Sequence, residues 1–220
     1  MGKNIFGAPR EDIQFLKLLH STRVFVETGT FRGDTAEWAA SAFDRVITIE
    51  GSKNYYESAA TRLSSLKNVE ILCGDSRTVL TQVLGMVGSE PTLFWLDAHW
   101  MPGSYGEVGE CPIIEELNLI REMATDPIIL IDDARLFLAP PPLPHRAADW
   151  PTIGRVLDAL EGRNQEFRYT VLNDDVIFSV PIQLKDATLK FFQEKLTVEM
   201  AAASRRPHIA RRFIRRLLGS

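Results

Sequence analysis

Residues 23–33 read RVFVETGTFRG, and this stretch decides the fold. Its first five residues are a β-branched and aromatic run, which predicts a strand. The run ends at a Thr28-Gly29 turn, and Gly33 precedes a helical stretch over 34–43. Working outward, the same strand-then-helix unit recurs. VITIE at 46–50 is a second strand, followed by a helix over 52–66 with Ser52 in the N-cap position. Strands at 69–72 and 92–97 (TLFWLD) enclose a helix near 76–86. Pro112 suits the first turn of a helix over 113–123, and PIILID at 127–132 is a fifth strand. A helix over 152–161 leads to runs at 167–172 and 176–180. These flank Asn173-Asp174-Asp175, a hairpin signal. Repeated alternation of this kind predicts an α/β fold, a doubly wound and mostly parallel sheet with helices on both faces and a C-terminal antiparallel hairpin.

In such sheets ligands bind beyond the carboxyl ends of the strands, near the point where strand order reverses. The residues ending each run are acids: Glu27, Glu50, Asp75, Asp97 and the pair Asp132-Asp133. Gly29 and Gly33 allow a tight turn and close backbone approach to a ligand. Phe31 stands where a dinucleotide fingerprint needs its second glycine, and the turn has no phosphate-binding lysine. The helix N-terminus here favours a carboxylate. Glu50, ending the second strand, can accept from two ribose hydroxyls. Asp75 can accept from an exocyclic adenine amine.

The ordered series ETGTFRG, VITIEGS, CGDS and FWLDAH resembles the motif series of class I S-adenosylmethionine-dependent methyltransferases, over roughly residues 20–180. That family has a Rossmann-like, seven-stranded sheet whose last strand runs antiparallel. The resemblance implies that Glu27, Gly29 and Gly33 line the methionine end of the cofactor, that Glu50 holds the ribose, and that Asp75 and Ser76 meet the adenine. Thr30, Phe31, Thr35, Gly51 and Asp97 complete the implied cofactor-binding set. Thr28-Gly29-Thr30-Phe31 departs from the family's more glycine-rich loop.

Asp97 is followed by Ala98-His99-Trp100, and Asp132-Asp133 ends the next strand. If these strands are neighbours, three carboxylates converge, which is unfavourable unless a cation or protons offset them. Oxygen donors suit a hard cation such as Mg²⁺. LDAH followed by IDD is similar to the metal-dependent O-methyltransferases of natural-product sugars, the macrocin O-methyltransferase group. That similarity implies Asp97, Asp132 and Asp133 as Mg²⁺ ligands and a sugar or other polyhydroxyl acceptor. His99 titrates near neutrality when unperturbed, so it is the first candidate for the base that takes the acceptor's proton, with Asp97 the second. A histidine that only holds a loop is the structural alternative. The glycine-rich segment 101–111 suits a substrate lid. The stiff run 140–144, with His145, Arg146 and Trp150, suits a second wall of the acceptor pocket.

Composition bounds the rest. The 220 residues are 45% hydrophobic and 25% charged, enough for one sizeable core. Two cysteines, Cys73 and Cys111, no signal-like leader and no long apolar run favour free thiols and the cytoplasm. Six arginines fall in the last sixteen residues, so the remainder holds 19 basic and 29 acidic residues, a net −10, which does not suit a nucleic-acid groove. We expect a catalytic domain over 1–200 and a basic amphipathic tail over 201–220. The tail could pack on the body, join a homodimer or lie on an anionic membrane surface. Rival functions are N-methylation or another transfer by the same fold, a non-catalytic cofactor-binding scaffold, and a nicotinamide dehydrogenase.

Overall fold

A computed structural model describes residues 7–99, 109–123, 125–161 and 168–205. Trp100, most of the glycine-rich segment expected as a lid, and the arginine-rich residues 206–220 lie outside the described residues. The chain divides into two units, one ending at Leu184 and one beginning at Lys185.

In the first unit the elements follow in the order α1 (Arg10–His20), β1 (Val24–Thr28), α2 (Asp34–Ala42), β2 (Arg45–Glu50), α3 (Lys53–Leu63), β3 (Val69–Cys73), α4 (Ser76–Val87), β4 (Thr92–Leu96), α5 (Ile113–Ile120), β5 (Ile128–Ile131), the one-turn α6 (Arg135–Leu138), α7 (Ile153–Leu160), β6 (Arg168–Asn173) and β7 (Val176–Pro181). One seven-stranded sheet runs in the order β3-β2-β1-β4-β5-β7-β6. β1 to β5 are parallel, and β7 is antiparallel to both β5 and β6. The expected α/β sheet is therefore present. β1 and β4 are adjacent although they are not consecutive, so strand order reverses between them.

Burial follows the topology. Every residue of β1, β4 and β5 is buried, as parallel strands covered on both faces require, while edge strand β3 is mostly half-exposed. Alternate residues serve alternate layers. Val24, Val26, Ile47, Ile49, Phe94, Leu96, Ile129 and Ile131 join Leu80, Leu117, Val156 and others from α4, α5 and α7 in one cluster. On the opposite face Phe25 meets the rings of Trp38 and Phe43 at 6.4 and 5.1 Å. Each such fully buried side chain contributes on the order of 1.5–3 kcal/mol through desolvation.

Two helices end earlier than their sequence patterns extend. Past Leu63, Ser64-Ser65 interrupts α3 with a turn closed by the Leu66 amide on the Leu63 carbonyl. Past Ile120, α5 tightens into three-residue bonds, Glu122 to Leu119 and Met123 to Ile120. Ser52 stands before α3 as expected but makes no side-chain cap; its amide donates to Glu50 instead.

The second unit is described by its helix α8 (Lys185–Arg205). The expected division at residue 200 falls inside that helix. Among the described residues no helix is long and apolar enough to cross a membrane.

Candidate active site

The carboxyl ends of β3, β2, β1, β4 and β5 line one edge of the sheet, and the turns that leave them carry the site. After β1 the Gly29 and Thr30 amides both donate to the Ile49 carbonyl, at 2.9 and 3.2 Å, holding the turn against β2. Gly29 adopts φ +89°, and a Cβ there would lie 2.3 Å from the Asp97 carbonyl oxygen. Only glycine lets β1 and the β4 exit approach so closely. Phe31 is also left-handed, at φ +49°, with its ring edge-on to Tyr55 at 4.8 Å. Gly33, at φ +82°, caps α2, whose first-turn amides have no intrahelical acceptor.

Glu50 is 6% exposed, and its two oxygens accept from the Phe31 amide at 2.7 Å and the Ser52 amide at 2.8 Å. Burial raises this carboxyl above its ordinary value, and the Ser52, Phe31 and Gly51 amides partly offset the rise. Two backbone segments thus fix the plane of the carboxylate, and each oxygen keeps a lone pair. Such a group can take two vicinal hydroxyls. Glu27 is buried under the turn. Burial pushes its carboxyl up to about 8, although the hydroxyls of Thr48 (2.6 Å) and Thr35 favour the charged form. Thr30 bonds the same Thr48 hydroxyl at 2.6 Å. Asp75 caps α4 through the Arg77 amide at 3.0 Å and pairs with the Arg77 guanidinium, which holds its carboxyl below the ordinary range. Its side chain is 31% exposed, so the cap still faces the edge where the adenine contact was expected. Ser76, next in the chain, is buried.

The strands that carry Asp97 and Asp132-Asp133, β4 and β5, are neighbours, as expected. The Asp97 amide donates to Thr28 of β1 and the Asp132 amide to Leu96 of β4, which sets the two strand exits side by side. Asp97 is closely surrounded by neighbouring groups yet shows 32% of its side chain to solvent. Burial first, then the charges of Asp132 and Asp133, raise its carboxyl well above the ordinary value. Asp132 is pushed up to about 7, chiefly by burial. Asp133, at φ +53°, turns away from the strand, and its amide donates to the Asp132 carboxylate at 2.8 Å. The donor atoms that come together are those of Asp97, His99 and Asp133, all within 4.8 Å of one another.

His99 is 7% exposed at its side chain, and burial lowers it to about 4, so it is uncharged near neutrality. Its ring lies against Trp150 at 5.2 Å and Phe137 at 5.8 Å. Trp150 and Phe137, with Pro140 and Pro141, also line a cavity of about 180 Å³. The stiff proline run therefore adjoins the His99 site through these shared rings.

Two acids of the neighbourhood were not anticipated. Glu110 is 3% exposed and accepts from the Trp150 indole at 2.9 Å, the Arg146 amide at 3.0 Å and His145 at 3.2 Å. Burial raises its carboxyl, but those donors outweigh it and leave it below the ordinary value. Glu116 of α5 is 1% exposed and faces the hydroxyls of Ser76 and Thr28; burial pushes it up to about 7. Its signal was in the sequence. Ile113, Glu116, Leu117 and Ile120 form one helical face, so an acid interrupts an apolar stripe. Glu110 gave no comparable signal, because its partners are 35 to 40 residues away.

No protein-family model and no curated protein matches the chain. Solved structures do. A protein from Staphylococcus aureus assigned as a caffeoyl-CoA O-methyltransferase superposes with a TM-score of 0.56 at 14% identity, covering 82% of this chain and 86% of that one. A methyltransferase-assigned protein from Streptococcus mutans, in complex with S-adenosylhomocysteine, gives 0.54 at 12% identity over 80% and 99% of the two chains. A cofactor-bound protein from MTB gives 0.51 at 17% identity over 81% and 83%. The chain has the seven-stranded, Rossmann-like fold of these proteins.

Proposed function

We infer that the chain is a methyltransferase that uses S-adenosylmethionine and acts on a small hydroxylated acceptor. One observation carries the reading. At the switch point between β1 and β4, a glycine turn, the fixed carboxylate of Glu50 and the partly open carboxylate of Asp97 share one sheet edge. This arrangement fits the cofactor part by part. Glu50 takes the ribose hydroxyls, with Gly51 beside it. Asp75 and Ser76 border the adenine. Gly29 to Gly33 and the first turn of α2, over Glu27 and Thr35, receive the charged methionine end. The bound cofactor supplies an electrophilic methyl group; the chain aligns the acceptor with it and excludes water.

An alcohol acceptor must lose its proton as it is methylated. Two groups at the strand exits can take it: Asp97, whose carboxyl burial raises well above its ordinary value, and His99, which burial leaves uncharged near neutrality. The carboxylates at the strand exits also fit a divalent cation, which would neutralise them and hold two acceptor hydroxyls. The macrocin-type resemblance adds a finer expectation, Mg²⁺ held by Asp97, Asp132 and Asp133 and a sugar acceptor; the donor atoms that come together within 4.8 Å are instead those of Asp97, His99 and Asp133. Contact of the basic tail with a membrane surface or a second copy, and a cytoplasmic location, are proposals of the sequence alone.

The test is incubation of the full chain with methyl-labelled S-adenosylmethionine and a panel of sugars and other polyhydroxyl acceptors. The expected products are S-adenosylhomocysteine and a labelled methyl ether, lost in Asp97→Asn. Methylthioadenosine would point to aminopropyl transfer instead. Cofactor binding without turnover on any acceptor would favour the scaffold reading, and labelled methylamine products the N-methyl reading.

A further inference from the structure

His99 carries an observation that a base or a packing role does not explain. Its Nδ1 atom is buried and has no hydrogen-bond partner. It lies 3.8 Å from Asp97 Oδ1 and 3.8 Å from Asp133 Oδ2. Both separations are too long for a hydrogen bond. A buried nitrogen left unpaired costs about 1–3 kcal/mol. Yet this one points between two carboxylates, while Trp150 and Phe137 pack the ring and fix its plane. A cation bound at about 2.0–2.2 Å to three such atoms would hold neighbouring donors roughly 3.0–3.5 Å apart. A small inward shift of exposed carboxylates closes that difference, since the Asp97 and Asp133 side chains are 32% and 44% open to solvent. Asp132 is set differently, because its Oδ1 already accepts from the Asp133 amide.

We propose that Asp97, His99 and Asp133 form a mixed nitrogen–oxygen cation site that takes a first-row transition metal ion, of the Mn²⁺ to Zn²⁺ series, in preference to Mg²⁺. The donor set decides the class of ion. Two carboxylates balance a double positive charge and accept any hard divalent cation. The imidazole adds affinity for transition ions and little for Mg²⁺, which favours oxygen and releases its water reluctantly. A third strand-tip acid in place of His99 would remove that preference. The catalytic consequence rests on the methyltransfer reading: with its lone pair on the cation, His99 does not take the acceptor's proton, and Asp132, which is outside the ligand set, is left to do so. The cation site itself does not depend on that reading.

The test uses the metal-stripped full chain without cofactor. Calorimetric titration with Co²⁺ and with Mg²⁺ is expected to give at least about tenfold tighter binding of Co²⁺. With Mn²⁺ as the reporter, electron spin-echo modulation should show a coordinated imidazole nitrogen whose pattern changes on ¹⁵N-histidine labelling. That signal should vanish in His99→Gln and persist in His145→Gln. Asp133→Asn should weaken Co²⁺ by about tenfold or more, and Asp132→Asn by less than about threefold. The labelling experiment on the unaltered chain needs no variant to fold. Absence of nitrogen coupling, a signal that survives His99→Gln, or equal affinity for Co²⁺ and Mg²⁺ would overturn the proposal. A chain that shows nitrogen-coordinated Mn²⁺ but never binds S-adenosylhomocysteine would keep the metal site and lose the methyltransferase reading.

Discussion

Gly29 sets how close the β1–α2 turn lies to the exit of β4. Its left-handed backbone would strain any other residue, and the atom a Cβ would strike is a backbone oxygen that belongs to Asp97. Gly29→Ala is therefore expected to cost at least about 2 kcal/mol, from strain and displacement of the β4 exit. Gly85, inside α4 with open space around it, is the matched control: Gly85→Ala should gain about 0.5–1 kcal/mol. Chemical denaturation of both variants reads the contrast directly. A neutral Gly29→Ala would mean that the turn is not held against β4 as described. This residue was legible in the sequence as a turn glycine; the tightness of its approach to Asp97 was not, because it depends on two strands 68 residues apart.

Among the elements, the segment between α6 and α7 depends on one side chain. Glu110 gathers the Trp150 indole, the Arg146 amide and His145, and so holds the wall on which the His99 ring leans. Glu110→Ala leaves buried donors unpaired and should lower stability by about 2–4 kcal/mol. It should also open the 140–150 segment to protease. Leu143→Ser in the same segment, where the side chain is 92% exposed, should change neither. Limited proteolysis and denaturation check both, and unchanged protection in Glu110→Ala would contradict the clamp. The five parallel strands, the helices between them and the final hairpin could be read from periodicity and turn residues. Elements outside that reading had clear physical causes. α6 is one turn long and is started by the β6–β7 turn, where Asp175 accepts from the Ala134 and Arg135 amides. α8 is free of glycine and proline over its 21 residues, a local signal that the strand–helix alternation upstream overshadows.

For the whole molecule, buried acids make stability depend on pH in an unusual direction. Glu27 and Glu116 are raised by burial to about 8 and about 7. A carboxyl whose folded value exceeds its unfolded one retains a proton in the native state that the unfolded chain has released. Native stability then falls as pH rises from the unfolded value, about 4.3, through the folded one, by up to about 1.4 kcal/mol per pH unit for each group. The ligand-free chain should therefore be less stable at pH 8 than at pH 5.5 by chemical denaturation. Glu27→Gln keeps the hydrogen bond from Thr48 and removes the titration, so it should flatten that fall, as should Glu116→Gln. Equal slopes in all three proteins would contradict the burial described for these acids. The series of strand-tip acids was visible in the sequence as a set, but which of them are sealed and which are open is a property of the assembled layers. Asp75 shows the difference, since Arg77, two residues on, neutralises it locally.

The central claim is that the acids along the carboxyl edge of the sheet bind an adenosine-bearing cofactor, with Glu50 on its ribose. Calorimetric titration of the full chain with S-adenosylhomocysteine tests it most directly. The account predicts binding in the micromolar range, about 8 kcal/mol of affinity. It also predicts a loss of about tenfold or more in Glu50→Gln with the fold intact by circular dichroism, and no binding of NAD. Absence of S-adenosylhomocysteine binding, or full affinity in Glu50→Gln, would contradict it.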